Sequence, residues 1–144
     1  MSLPAWVSDY VGIPFHPFGR DRKGCDCWGL VRLVLAERFG LDVPSYDGRY
    51  AGAGRQDVAE LGRLIDLERR LLDVAAVPAG AERAGDIVLL RVLGQPCHVG
   101  VVVAAGHMLH VEAGIDAMVE RYRGVAWERR VLGFWRPEGL RCPS

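Results

Sequence analysis

The apolar residues of this chain change their spacing once, near Pro78, and that change limits the folds it can adopt. Before it, DCWGLVRLVLAERFG and QDVAELGRLIDLERRLLDV place apolar residues three and four positions apart, which is typical of helices with one buried face. After it come five short, β-branched runs separated by glycines: GDIVLLRVLG, CHVGVVVAA, MLHVEA, AMVERY and VLGFWR. This order predicts an α+β fold, with N-terminal helices packed on a central antiparallel sheet of about five strands.

Composition predicts a single domain, residues 1–144, that binds no nucleic acid and does not insert into a membrane. Half of the 144 residues are apolar, which suits one buried core. Lysine plus arginine and aspartate plus glutamate number 18 each, so no basic surface for a polyanion is expected. The longest apolar stretch, VGVVVAAG, is too short to insert into a bilayer. The start, MSLPAWVSDYVG, lacks a leader pattern, which predicts cytoplasmic synthesis without a signal peptide.

The first helix has sequence signals at both ends. Asp26 can cap its first turn, and Gly40 stands where a left-handed residue often ends a helix. The glycine- and proline-rich segments GIPFHPFGRDRKG before it and LDVPSYDGRYAGAG after it predict loops. The boundaries therefore make Cys27 the first residue of the helix.

Cys27 is a candidate nucleophile because of that position. Backbone N–H groups and the positive end of the helix dipole stabilise a thiolate there and lower the pKa of the thiol. Cys25 precedes the cap and has neither advantage, and all four cysteines are expected to be free thiols. The alternative, that Cys27 is only a small buried apolar residue, stays open on its position alone.

A cysteine nucleophile needs a base, and the strand CHVGVVVAA supplies one in His98. Strand alternation puts His98 and Gly100 on one face, and the glycine leaves space beside the imidazole. A three-residue turn, Ala104-Ala105-Gly106, sets His110 opposite Gly100 and beside His98. We therefore expect His98 to activate Cys27 and His110 to hold the tautomer and orientation of His98.

A zinc site is the competing interpretation of the same region. Cys25, Cys27, Cys97 and His98 are suitable ligand types. However, Cys97 and His98 are consecutive on a strand and point to opposite faces, and one residue between Cys25 and Cys27 is a short spacing. We expect no metal and no other cofactor.

The chain resembles the NlpC family of papain-like cysteine peptidases, which act on bacterial cell-wall peptides. The resemblance rests on GCDCWGLVRLVL, AGDIVLL, CHVGVVV and MLHVEAG, and it covers almost the whole chain. It implies the catalytic triad Cys27, His98 and His110, and an endopeptidase that cleaves an amide of the peptidoglycan stem peptide beside D-glutamate and diaminopimelate.

The segments GIPFHPFGRDRKGCDC, PSYDGRYAGAG and WERRVLGFWRP look most like the branch found in tails of bacteriophages and of gene transfer agents. That likeness implies a virion or particle tail component that opens the wall locally, in the periplasm or cell wall, during DNA delivery. Its partners would be tail-tip or hub proteins, which would supply its location.

Two departures from the family pattern concern the substrate side. Phe15 stands where many relatives have a tyrosine that assists the site, and neighbouring His16 is the candidate to replace it. Trp28 follows the nucleophile where relatives often have serine, and Asp26, apart from capping, is a further candidate for orienting substrate. These departures keep a rival open, a structural tail-tip protein with the same fold and no required activity. Acyl transfer or thiol-ester chemistry on a lipid or amide is a third hypothesis.

Several other polar residues have structural interpretations. Asp86 is expected in the turn entering a strand, and His107 is expected to be exposed and inert. The ending with Trp127 and Trp135 among its arginines is expected to be the solvated side of the last strand.

Overall fold

The structure, a computed structural model, describes residues 2–45, 74–92 and 94–140. Two 3-10 helices, Ala5–Asp9 and Glu128–Arg130, accompany the longer elements. The strands and the helix are β1 Arg20–Asp21, β2 Gly24–Cys25, α1 Cys27–Phe39, β3 Val74–Val77, β4 Ile87–Val92, β5 Gln95–Ala104, β6 His107–Glu112, β7 Ile115–Arg121 and β8 Val131–Pro137. No helix in the described ranges has the length and apolar character needed to cross a bilayer.

Helix α1 confirms the prediction at both ends. Asp26 caps it, since one carboxylate oxygen accepts a hydrogen bond from the Gly29 N–H at 2.8 Å. Gly40 ends it in the left-handed region, with φ 67°. Its buried apolar residues lie on one face: Leu30, Val31, Val34, Leu35 and Phe39. The second predicted helix, residues 56–74, lies outside the described residues except for Val74, where the prediction is wrong because Val74 begins strand β3.

The segment before α1, which we predicted to be a loop, contains the short antiparallel hairpin of β1 and β2. This hairpin passes close to the first turn of α1. A Cβ atom placed at Gly29 would overlap the carbonyl oxygen of Gly19. The glycine two residues after Cys27 is therefore needed for a close approach of two backbones.

The large sheet has six strands in the order β3-β8-β4-β5-β6-β7, and every neighbouring pair is antiparallel. The five predicted strands are present as β4 to β8. The additional strand, β3, pairs with β8, with Val74 opposite Pro137 and Val77 opposite Phe134. The α+β class is confirmed, with one described helix packed on β5 and β6.

The hairpin of β5 and β6 has the predicted register but a different turn. Val101 lies opposite Leu109 and Val102 opposite Met108, as a three-residue turn requires. The closing pair is instead Ala104 with His107, and a bulge between Val102 and Ala104 restores the register. The bulge makes up for the shorter turn, so the pairing beyond it keeps the predicted alternation of faces. The side chains of His98 and His110 therefore still share one face, as predicted.

The sheet buries both faces. The helix-side face packs against α1 through Ile87, Leu89, Val99, Val101, Val103, Leu109 and Val111. The far face carries a second apolar cluster, formed by Val88, Leu90, Val102, Met108, Tyr122, Trp127 and Phe134. His98 lies opposite Leu90 in the register of β4 and β5, so it belongs to the far face.

Candidate active site

Cys27 lies at the start of α1, half-buried, beside a network that fixes the helix end. Asp26 accepts hydrogen bonds from the Gly29 N–H through one oxygen and from the Phe18 N–H, at 3.2 Å, through the other. It also forms an ion pair with Arg20 at 2.8 Å, in which both side chains are largely buried. Capping is therefore confirmed as a function of Asp26, and its substrate-side role stays a prediction.

Cys25 is unsuited to act as the nucleophile. Its side chain is fully buried, and its thiol donates a hydrogen bond to the carbonyl oxygen of Asp21 at 3.0 Å. Burial, with the nearby charges of Asp26 and Asp21, raises the pKa of this thiol to about 12. The prediction that the two cysteines differ agrees with this environment.

His98 and His110 lie side by side on the far face of the sheet. The distance between His98 Nε2 and His110 Nδ1 is 2.8 Å, and both rings are buried. Gly100 provides the space between the strands, because a Cβ atom there would come within 3.3 Å of the His110 Cβ atom. The structure confirms that these two histidines form a hydrogen-bonded pair.

Glu120 and Trp127 complete a hydrogen-bonded chain behind the histidines. His110 Nε2 lies 3.1 Å from one oxygen of Glu120, and the indole N–H of Trp127 donates to the other oxygen at 2.6 Å. The Trp127 ring also stacks on His98, with ring centroids 5.6 Å apart and planes at 23°. Each ring in the chain is thus held by a hydrogen bond and by packing.

Burial makes both histidines neutral at ordinary pH. Desolvation lowers the pKa of His98 to about 3, and electrostatic repulsion from His110 and Arg130 adds to the shift. Desolvation also lowers the pKa of His110, although the carboxylates of Glu120 and Glu112 oppose the shift. A neutral imidazole has one N–H donor and one acceptor nitrogen, so it is able to accept a proton.

The described packing places Cys27 and the two histidines on different sides of the sheet. Cys27 packs at the margin of the helix-side core, whereas the rings of His98 and His110 lie on the far face. The proton transfer between Cys27 and His98 therefore stays a prediction.

The remaining candidates lie in the loops around the site. His16 is exposed, and its Nδ1 atom lies 2.9 Å from the Pro17 carbonyl oxygen. The Trp28 indole N–H donates to the carbonyl oxygen of Pro44 at 2.8 Å and so anchors the chain that follows α1. Trp28 has a structural role in addition to its predicted place on the substrate side.

Three side chains outside most of the rejected zinc set bring possible metal-ligand atoms close together. Donor atoms of His98, His110 and Glu112 lie within 4.8 Å of one another. Nitrogen atoms of the two histidines already face each other in a hydrogen bond, so a metal would have to replace that bond.

Two of the structural interpretations need revision. Trp127 is buried, so its predicted place on the solvated side is wrong, because the segment after β7 folds it onto the far face. His107 is half-buried, with Nδ1 3.4 Å from the Ala105 carbonyl oxygen. Asp86 does belong to the turn entering β4, where it accepts from the Arg83 N–H at 2.8 Å.

Glu120 was not among the predicted site residues. Its signal was available, since β7 alternation places it on the same face as Met118, which lies opposite His110. Trp127 had no such signal, because it lies outside the strands and reaches the histidines through tertiary packing alone.

The helix and the antiparallel sheet define an α+β domain of the NlpC type, and comparison with known sequences identifies the family. A sequence profile of the NlpC/P60 family matches residues 12–136. The chain belongs to the NlpC/P60 family.

Two relatives come from Escherichia coli strain K12. The murein DD-endopeptidase MepS/murein LD-carboxypeptidase is 24% identical over 123 residues, which are 85% of this chain and 55% of that protein. The probable endopeptidase NlpC is 25% identical over 132 residues, 90% of this chain and 71% of that protein. The chain thus spans little more than half of the first relative.

Solved structures show the same fold. The NlpC/p60 domain of the peptidoglycan hydrolase SagA superposes with a TM-score of 0.58 at 21% identity, covering 92% of each chain. A lipoprotein-like member of the NLP/P60 family from Staphylococcus aureus gives 0.59 at 18% identity, covering 91% of this chain and 38% of that one.

Proposed function

We propose that this chain is a cysteine endopeptidase that cleaves an amide bond in the peptidoglycan stem peptide. The observation that carries the proposal is the buried pair of His98 and His110, aligned through Nε2 and Nδ1 at 2.8 Å. The pair occupies the positions that match the base and the third catalytic residue of the NlpC/P60 family. Cys27, at the start of α1, matches the family nucleophile.

The proposed reaction has two steps. Cys27 Sγ attacks the amide carbonyl while its proton passes to His98 Nδ1, and the resulting imidazolium protonates the leaving amine as the C–N bond breaks. A thioester remains. Water gives a proton to His98 and attacks the thioester carbonyl, the C–S bond breaks, and the leaving thiolate takes the proton back from His98, which restores the thiol. The backbone N–H of Cys27 is the proposed donor to the developing oxyanion.

The low pKa of His98 is compatible with its role as a base. A lone positive charge is costly in a site where the ring is buried. In the proposed step, a thiolate forms at Cys27 as the proton arrives, so the imidazolium has an opposite charge beside it.

The proposed bond is the amide between D-glutamate and diaminopimelate. The related E. coli proteins carry the names murein DD-endopeptidase, murein LD-carboxypeptidase and probable endopeptidase. Because those names include both an endopeptidase and a carboxypeptidase, cleavage at the different bonds of the stem peptide has to be compared directly.

The test is digestion of purified muropeptides, both cross-linked dimers and monomeric stem peptides, followed by mass spectrometry. Wild-type protein and Cys25→Ala are expected to release fragments cut beside D-glutamate, and Cys27→Ala is expected to release none. Intact substrate with the wild type would remove the enzyme proposal and favour the structural tail-tip protein. Cleavage of cross-links alone would retain the enzyme and change the bond.

We also propose that the enzyme acts as part of a phage-type tail tip and opens the wall locally during DNA delivery. Support comes from the segments GIPFHPFGRDRKGCDC, PSYDGRYAGAG and WERRVLGFWRP, which look like those of tail-module proteins. Mass spectrometry of purified particles from the source strain tests the setting. Stoichiometric recovery with tail proteins is expected, and recovery from the cell envelope in a strain without particles would contradict it.

A further inference from the structure

We propose that Glu120, held in place by Trp127, is a positioning residue that sets the tautomers of both histidines. This inference goes beyond the triad, and its catalytic consequence rests on the proposed function. Glu120 contacts His110, and His110 contacts His98, so Glu120 acts through two rings and not on the substrate.

The geometry matches two donors to two acceptors. A carboxylate only accepts hydrogen bonds, and the oxygens of Glu120 receive the His110 Nε2–H at 3.1 Å and the Trp127 indole N–H at 2.6 Å. The indole has no alternative role as an acceptor, so it orients the carboxylate. The second oxygen of Glu120 is thereby directed at His110.

The hydrogen bond from His110 Nε2 to Glu120 sets the direction of the hydrogen bond between the two histidines. A neutral His110 that donates from Nε2 has a bare Nδ1, which accepts from His98 Nε2–H. A neutral His98 that donates from Nε2 has a bare Nδ1. That nitrogen is the acceptor that a cysteine base requires, so Glu120 determines which nitrogen of His98 can take the thiol proton.

Other charged groups near the pair do not make these bonds. Glu112 extends from the same strand as His110 and acts on it through its charge, with no hydrogen bond to it among the described contacts. The Arg130 guanidinium lies 4.8 Å from the centre of the Trp127 ring, on the outer side of the cluster. Glu120 is thus distinguished from Glu112 by hydrogen bonding, which allows Glu112 to serve as a charge control.

Replacing Glu120 with glutamine is expected to reverse the direction of the hydrogen bonds that join Glu120, His110 and His98. Glutamine offers one oxygen to two donors, and the indole of Trp127 requires it. The amide NH₂ group then faces His110, whose Nε2 becomes an acceptor and whose proton moves to Nδ1. His98 is left with its proton on Nδ1, where it blocks acceptance from a thiol.

The direct test is nuclear magnetic resonance of ¹⁵N-histidine, which distinguishes protonated from bare ring nitrogens. The His16→Asn/His107→Asn background leaves the two buried rings as the observed signals. In the full chain at neutral pH, both rings are expected to carry their proton on Nε2. A proton on Nδ1 of either ring in this protein would overturn the proposal without any further variant.

The variants then isolate the cause. Glu120→Gln is expected to move both protons to Nδ1, whereas Glu112→Gln, which removes a nearby charge, is expected to leave them on Nε2. In Glu120→Gln/Trp127→Phe the indole donor is gone, so the amide oxygen can turn to His110 and restore Nε2 protonation. Unchanged tautomers in Glu120→Gln, or the same change in Glu112→Gln, would overturn the proposal.

Kinetics connect the tautomer to activity. Glu120→Gln is expected to lower kcat about tenfold or more with little change in KM, and the Trp127→Phe replacement added to it is expected to recover part of the loss. A reversed tautomer with an unchanged kcat would defeat the catalytic part of this inference. Absence of cleavage by the wild type would defeat the proposed function alone, since the resonance measurement does not depend on turnover.

Discussion

Replacing His98 with asparagine is expected to reduce the loss of folding stability that we predict for the protein in acid. Burial beside His110 lowers the pKa of His98 from 6.5 to about 3. Between these values the folded protein keeps His98 neutral, whereas the unfolded chain protonates it. The unfolded state therefore gains free energy as the pH falls below 6.5, and the stability contributed by His98 is lost progressively down to about pH 3.

The magnitude follows from the two pKa values. Between about pH 7 and pH 5, protonation of His98 in the unfolded chain alone lowers the free energy of unfolding by about 2 kcal/mol. Over the whole interval the loss approaches about 5 kcal/mol, which is comparable with the total stability of many small domains. Asparagine is chosen because its amide can still donate to His110 Nδ1 and does not titrate.

The assay is urea unfolding at several pH values for the wild type, His98→Asn and His16→Asn. The control is suitable because His16 is exposed and lies outside the buried pair. Between about pH 7 and pH 5, the wild type and His16→Asn are expected to lose about 2 kcal/mol more than His98→Asn. Parallel pH curves for the wild type and His98→Asn would refute the claim that His98 is buried in its neutral form.

Two further predictions concern the start of α1. Gly29→Ala is expected to lower the melting temperature by several degrees, because its new Cβ would overlap the Gly19 carbonyl; a melting curve equal to that of the wild type would contradict the close approach. Asp26→Ala is expected to cost about 1–2 kcal/mol in urea unfolding through loss of the helix cap. Asp26→Asn is expected to cost less, because asparagine caps equally well and loses mainly the charge opposite Arg20; equal losses would indicate that the ion pair dominates.

The local parts of the site were predictable from the sequence. Asp26 and Gly40 mark the helix ends because capping depends on a few neighbouring residues. The pairing of His98 with His110 followed from strand parity and from the turn at Gly106. The φ of Gly106, 87°, lies in the left-handed region that favours glycine. The bulge near Val103 changed the turn without changing the faces.

The rest depended on tertiary contacts. Strand β3 was not recognised because VAAV is short, and its pairing with β8 decides its structure. Trp127 was expected on the solvated side of the last strand, whereas the chain after β7 folds it onto the far face. Glu120 could be placed on the correct face by alternation, but its partners include an indole whose position no periodicity predicts.

The most direct measurement of the central claim is the alkylation rate of Cys27 by iodoacetamide as a function of pH, followed by peptide mass mapping. Wild-type Cys27 is expected to react at neutral pH about tenfold or more faster than Cys27 in His98→Asn, because a neutral His98 accepts the thiol proton. Buried Cys25 is expected to remain unmodified in both proteins. Identical Cys27 rates and pH profiles in the two proteins would contradict the assignment of His98 as the base.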